Sequence, residues 1–145
     1  MTRSMLASVL YRMDGKAGVT GLTHPFEDVA KNDWYEDALI WAYNNDIISG
    51  VSETAFAPNS NVTRQQIAAI LYCYAAKCGY DVSASTDLSI FPDSDAVADY
   101  DKTAMSWANA AGLVQGSTDG EKTLLLPNDS ATRAQLAAIL MRFMK

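Results

Sequence analysis

Histidine occurs once in the 145 residues, at His24, and cysteine twice, at Cys73 and Cys78. No Cys/His cluster with ligand spacing exists, so neither a zinc site nor a disulfide framework is supported. If one helix runs through both cysteines, they point in different directions and their Cα atoms are too far apart for an easy bridge. They read as thiols without a task, and the redox compartment stays open. His24 stands before Pro25 in a connector and reads as solvated. There is no Gly-x-Ser-x-Gly, no Gly-Lys-Ser/Thr and no nucleophile–base pair, so no enzyme is expected in this segment. No apolar run approaches the ~20 residues that cross a bilayer. No leader pattern is visible either. Basic residues are outnumbered, 11 against 17 acidic, for a formal charge of −6 and a pI near 4.5. That balance argues against nucleic acid as a bulk electrostatic partner. It leaves room for a local cationic pocket that takes a small anionic group.

What the chain does contain is a repeat. Val62-Thr63-Arg64-Gln65-Gln66-Ile67 opens a helix: Thr63 is a natural N-cap, Gln66 completes a capping box, and Val62 can staple against Ile67. Ile67, Ile70, Leu71 and Tyr74 then fall at i, i+3, i+4 and i+7 on one apolar face. The opening recurs as Thr132-Arg133-Ala134-Gln135 and as Thr2-Arg3-Ser4-Met5. In the first copy Leu6, Val9, Leu10 and Met13 form the core face. Because the chain opens inside a repeat, residues 1–13 are expected to be the end of a first copy whose own start lies upstream.

The first full copy spans 26–77. It begins at Phe26-Glu27-Asp28-Val29 and continues with a helix expected from Asp33 to Asn45, capped by Asp33 with Glu36 three residues on. Trp34, Ala38, Trp41, Ala42 and Tyr43 mark its buried side. After Asp46 the chain leaves through Ile47-Ile48-Ser49-Gly50, loops past Phe56-Ala57-Pro58 and enters the Thr63 helix. The second full copy, 91–145, answers piece by piece: Phe91-Pro92-Asp93, then Tyr100, Ala104, Trp107 and Ala108, then Gly112 to Gly116, then Pro127-Asn128. Gly112 suits a left-handed helix end, and Asp46 in the same slot tolerates one. About three extra residues enter the second loop, around Asp119-Gly120-Glu121. Thr54-Ala55-Phe56 and Thr123-Leu124-Leu125 are candidates for short extended pieces. The expected class is all-α, mainly helical with short extended loops. Helix-loop-helix repeats would be arranged with pseudo-threefold symmetry around a central three-helix bundle.

Arg3, Arg64 and Arg133 each follow a threonine cap, where a cation opposes the helix dipole by roughly 0.3–1 kcal/mol at an exposed site. A guanidinium converging with free backbone N–H groups makes an anion site. The alternative is pairing with an aspartate of the same protein, Asp28 or Asp93, to fix the packing of the repeats. Trp41 and Trp107 read as core. Trp34 and Tyr100, at the helix starts, are better placed to stack on a sugar. Gly50 and Gly116 serve backbone geometry or close approach to a ligand. Asp93-Ser94-Asp95 lacks the Gly and the distant Glu of a calcium loop, so no metal is assigned.

In order and spacing these elements resemble the S-layer homology family. The shared features are Phe26/Asp28, Trp34, Asp46 to Gly50, Phe56/Pro58 and Thr63-Arg64-Gln65-Gln66. They are met again as Phe91/Asp93, Tyr100, Gly112 to Gly116, Leu125/Pro127 and Thr132-Arg133-Ala134-Gln135. Gln66 and Gln135 replace the family's usual acidic residue, and Met5 does so in the first copy. The resemblance implies a noncatalytic, extracellular anchor on the bacterial cell wall. It would bind secondary wall polysaccharide, often through a pyruvylated sugar, in grooves between repeats. Arg64, Arg133 and Arg3 would supply charge and Trp34 and Tyr100 sugar contact, with Asp28, Asp93, Gly50 and Gly116 nearby; no cofactor is implied. The alternative is a structural or protein-interaction repeat without glycan binding. An exposed apolar patch beside the Thr2 helix would favour it and drive self-association.

Overall fold

The computed structural model describes residues 1–16, 18–119 and 122–143. Five helices account for most of the regular structure: α1 (Arg3–Met13), α2 (Glu36–Asn44), α3 (Arg64–Lys77), α4 (Lys102–Ala110) and α5 (Arg133–Phe143). Two short strands, β1 (Ser117–Asp119) and β2 (Lys122–Leu124), pair antiparallel with Ser117 opposite Leu124. The chain is thus mainly helical, as its periodicity predicts. The hairpin stands where the second copy carries its extra residues; of those, Gly120 and Glu121 lie outside the described residues. Thr54-Ala55-Phe56 forms no strand. None of the described helices is long and apolar enough to cross a membrane.

Two compact units result, Met1–Asn61 and Val62–Lys145. Their boundary falls inside the first full sequence copy, just before Thr63. The first two Thr-Arg helices therefore pack with the helix of the copy that follows them: α1 with α2, and α3 with α4. In the first unit Leu6, Leu10, Leu39, Trp41 and Phe56 are fully buried, and in the second Ile67, Leu71, Met105, Val114 and Leu125. Tyr11 lies over Trp41 and Tyr72 over Trp107, each with ring centroids 5.6 Å apart. Both tryptophans are core, as read.

The helix ends follow local chemistry. Thr63 accepts from the Gln66 N–H while the Gln66 side chain accepts from the Thr63 N–H, so the expected capping box is present. Thr132 and Gln135 repeat it. In the first copy the Met5 N–H donates to the Thr2 hydroxyl, and methionine brings no carboxylate or amide oxygen to complete a box. At the other ends α2 and α4 close in Schellman turns: Ile47 N–H donates to Ala42 and Leu113 N–H to Ala108, around left-handed Asp46 (φ 57°) and Gly112 (φ 77°).

Three local expectations are corrected. α2 starts at Glu36, three residues late, because the Asp33 carboxylate turns back to the Ala30 N–H and the Tyr35 hydroxyl instead of capping. Trp34 consequently lies outside the helix and is 66% exposed, not on the buried side. His24 is half-buried: its ring stacks on Phe26, its Nδ1 accepts from the Phe26 N–H, and its Nε2 lies 3.9 Å from Glu36.

Candidate functional site

The motif arginines occupy the first residue of α1, α3 and α5, but their surroundings differ. Arg3 and Arg64 are each 7% exposed. Arg3 Nε donates to the Phe56 carbonyl (2.8 Å) and Nη2 to the Ser49 carbonyl (2.5 Å), with the guanidinium over the Phe56 ring. Arg64 does the same in the second unit, Nε to Leu125 (2.8 Å) and Nη2 to Gln115 (2.8 Å). The backbone N–H groups beside them are used as well: Arg3 and Ser4 donate to Ser60 and Pro58, and Arg64 and Gln65 to Asp129 and Pro127. The expectation of free N–H groups at these helix starts therefore fails for α1 and α3. The loop of the following copy takes them up.

Asp28 and Asp93 complete the same arrangement. Asp28 accepts from the N–H groups of Phe56 (2.9 Å) and Ala57 (2.7 Å). Asp93 accepts from Leu125 (2.9 Å) and Leu126 (2.8 Å). Ala57 and Leu126 are left-handed, at φ 58° and 51°, although neither is glycine. Such a conformation costs of order 1 kcal/mol or more and persists only where the surroundings over-determine it. Two N–H groups converging on one carboxylate do so here. Desolvation alone would raise the Asp28 carboxyl, yet the Phe56 and Ala57 bonds and the nearby Arg3 charge hold it below the usual carboxylate value. Gly50 and Gly116 fit this core by size. A Cβ on Gly50 would collide with the Phe26 ring and the Ser52 and Ala55 carbonyls, and one on Gly116 with Thr123 and Phe91.

A cavity of about 220 Å³ opens beside Arg64 in the second unit, lined by Leu113 to Gly116 and by Gln135, Ala138, Ile139 and Arg142 of α5. It brings Arg64 together with Gly116 and adds Arg142, which sequence reasoning missed. The signal was available, because Gln135, Ala138, Ile139 and Arg142 sit at i, i+3, i+4 and i+7 and so share one helix face. Arg142 is exposed, and its Nη1 donates to the Leu113 carbonyl (3.2 Å). Burial lowers the Arg64 pKa while Asp129 and Asp93 oppose it. A guanidinium still stays charged. Among the described residues the cavity wall thus carries two cations and no carboxylate. An anion entering it gains charge-assisted hydrogen bonds.

The other expected residues lie elsewhere. Arg133 is exposed. Arg3, Asp28 and Gly50 belong to the first unit, as does Trp34, whose exposed ring meets Tyr35 edge-on. Tyr100 lies in a short 3-10 turn, Asp99–Asp101, and its side chain is outside the described residues.

Residues 25–68 and 90–137 match the S-layer homology domain. The chain is 37% identical over 117 residues to the surface-layer 125 kDa protein of Lysinibacillus sphaericus, a match covering 81% of this chain and 10% of that protein. It is 35% identical over 118 residues to an endoglucanase of Bacillus sp. strain KSM-635, covering 81% of this chain and 11% of the enzyme. The chain therefore spans about a tenth of the length of these relatives. Among solved structures, the undecaheme cytochrome from the S-layer of Carboxydothermus ferrireducens aligns over 95% of this chain and 20% of its own, with a TM-score of 0.50 and 24% identity, a likeness of fold alone. With both full copies matched, and the capping threonines and loop-holding aspartates repeated between them, the chain belongs to the S-layer homology domain family.

Proposed function

We propose that this chain is a noncatalytic cell-surface anchor that binds an anionic secondary wall polysaccharide through the cavity between α5 and the Leu113–Gly116 loop. The observation that carries the reading is the pairing of Arg64 and Arg142 on a wall that holds no carboxylate among the described residues. At about 220 Å³ the cavity suits one acidic substituent better than a whole oligosaccharide. A pyruvyl ketal on a terminal sugar presents such a carboxylate. Arg64 holds a fixed, buried charge whose Nε and Nη2 already bind carbonyls. Arg142, whose Nη1 donates to Leu113, brings further guanidinium donors to the ligand. The surface-layer and polysaccharide-hydrolase relatives share this segment and differ elsewhere in length, which fits a portable anchor outside the cell.

The test is co-sedimentation with purified bacterial wall sacculi, before and after extraction of the secondary polymer. Binding that disappears with the polymer and falls in Arg142→Ala supports the reading. A folded wild-type chain that leaves sacculi in the supernatant overturns it, in favour of a structural or protein-interaction repeat.

A further inference from the structure

A second and larger cavity, about 530 Å³, lies in the same unit under the segment that joins α3 to the Phe91 copy. Its walls are that segment, 82–89, together with Ser94, Asp95 and the α4 residues Lys102, Thr103 and Ser106. None of these residues lines the arginine cavity.

The cavity follows from sequence differences between the copies. In the first unit the position of Ser106 is held by Ile40, buried in the core. The position of Ser89 is held by His24, whose ring stacks on Phe26. That of Ala110 is held by Asn44, which ties the connector down by donating to the Thr23 carbonyl. The second unit replaces this apolar and tied-down surface with small hydroxyl groups. The 82–89 part of its connector is held by Ser106 instead. Ser106 Oγ accepts from the Thr86 N–H (2.8 Å) and donates to the Thr86 carbonyl (2.7 Å), pinning the segment to α4. The wall is built before any ligand arrives.

Its chemistry selects among ligands. Among the described residues the charged lining groups are Asp87, Asp95 and Lys102, a net charge of −1, and the Lys102 ammonium is already 2.9 Å from Asp99. An anion is therefore disfavoured. Among the described residues no cluster of metal-ligating side chains occurs. Hydroxyls dominate the remainder, and those of Ser85, Ser94 and Thr103 have no hydrogen-bond partner among the described residues. Hydroxyls that both donate and accept, beside carboxylates that only accept, match the hydroxyl-bearing carbons of an uncharged sugar. The volume lies within the ~300–1,000 Å³ range of small-ligand sites.

We propose that this cavity is a second carbohydrate site, which takes a neutral hexopyranose unit and works independently of the anion-binding cavity. Among the described residues no aromatic side chain lines it, so the described contacts to a sugar are hydrogen bonds.

The experiment is an amide-resolved NMR titration of the ¹⁵N-labelled chain with methyl glucoside, methyl mannoside and methyl galactoside, and with methyl glucuronide as the anionic counterpart. Saturable shifts confined to the Ser85, Thr86, Ser94 and Thr103 amides are expected for at least one neutral glycoside. The glucuronide should bind several-fold more weakly. Thr103→Val keeps the side-chain shape at an exposed position and should abolish the shifts, while Arg142→Ala should leave them unchanged. Absence of saturable shifts with all three neutral glycosides overturns the proposal. So does a glucuronide that binds as tightly at these amides, or full retention of the response in Thr103→Val.

Discussion

Arg64 and Asp93 grip Leu125 from opposite sides: the carboxylate accepts its N–H at 2.9 Å and the guanidinium donates to its carbonyl at 2.8 Å. Arg3 and Asp28 grip Phe56 in the same way. The opposed charges of the motif meet across a peptide of the loop between them. One Thr-Arg helix is thereby fixed to the loop of the next copy, and the left-handed residue before each proline, Ala57 or Leu126, is held in place.

Removing either partner should cost stability. Arg64→Ala leaves the buried Leu125 carbonyl without this donor, and Asp93→Ala leaves two loop N–H groups without their acceptor. Hydrogen bonds to charged groups are worth about 1.5–3 kcal/mol each. A loss of roughly 2–4 kcal/mol is expected for either variant by urea denaturation of the second unit's signals, Trp107 fluorescence among them.

Arg142 separates binding from folding. Its substitution by Ala should leave the urea midpoint in place and weaken polymer binding about ten- to a hundredfold, the equivalent of one lost charge-assisted contact. Raising the salt concentration should weaken the wild type further than the variant, because an exposed cation is screened. Isothermal titration at two salt concentrations reads both effects.

The two motif glycines should not be equivalent. At Gly50 a methyl group meets the Phe26 ring and two backbone carbonyls, which cannot yield without moving the chain. At Gly116 the nearest atom is a methyl of the exposed Thr123, which can rotate away. Overpacking typically costs about 1–3 kcal/mol. Gly50→Ala belongs at or above the top of that range and Gly116→Ala near the bottom, as thermal unfolding of each variant will show.

Asp101 and Asp28 should respond to acid with opposite signs. Asp101 is buried, caps α4 without a side-chain hydrogen bond, and is raised by desolvation. Its folded form takes up a proton above the unfolded pKa, so its destabilising charge is fully felt only above the folded value. Asp101→Asn should therefore raise the Tm at pH 7 and lose that advantage as pH falls through the folded value. The Asp28 carboxyl is lowered in the fold. Its contribution is complete above the unfolded pKa and disappears as pH falls through the lower folded value. Asp28→Asn should thus lower the Tm at pH 7 and narrow the gap to wild type in acid. Melting curves across that range test both.

Much of this was legible in the residues. The Thr63–Gln66 box, the apolar faces of α1 and α3, the left-handed exits at Asp46 and Gly112, and the core tryptophans all follow from contacts within a few residues. Asp33 was misread because its carboxylate had two local destinations, and the turn to Ala30 and Tyr35 prevailed over the helix cap. His24 was misread because stacking on Phe26 depends on where a connector lies, which periodicity does not encode.

By itself, then, the sequence determined the helices, their caps and their repetition, because capping and amphipathic burial act over three or four residues. Only the tertiary structure decided what the repeated charges do. Arg64 reaches 51 and 61 residues ahead to its two carbonyls, and Asp93 reaches 32 and 33 residues to its two N–H groups. Arg142 joins Arg64 through the packing of α5 against the Leu113–Gly116 loop. Charge in a sequence marks where a strong interaction is available. The partner is chosen by burial, which strips water from the guanidinium and leaves it only the acceptors that the fold brings within reach.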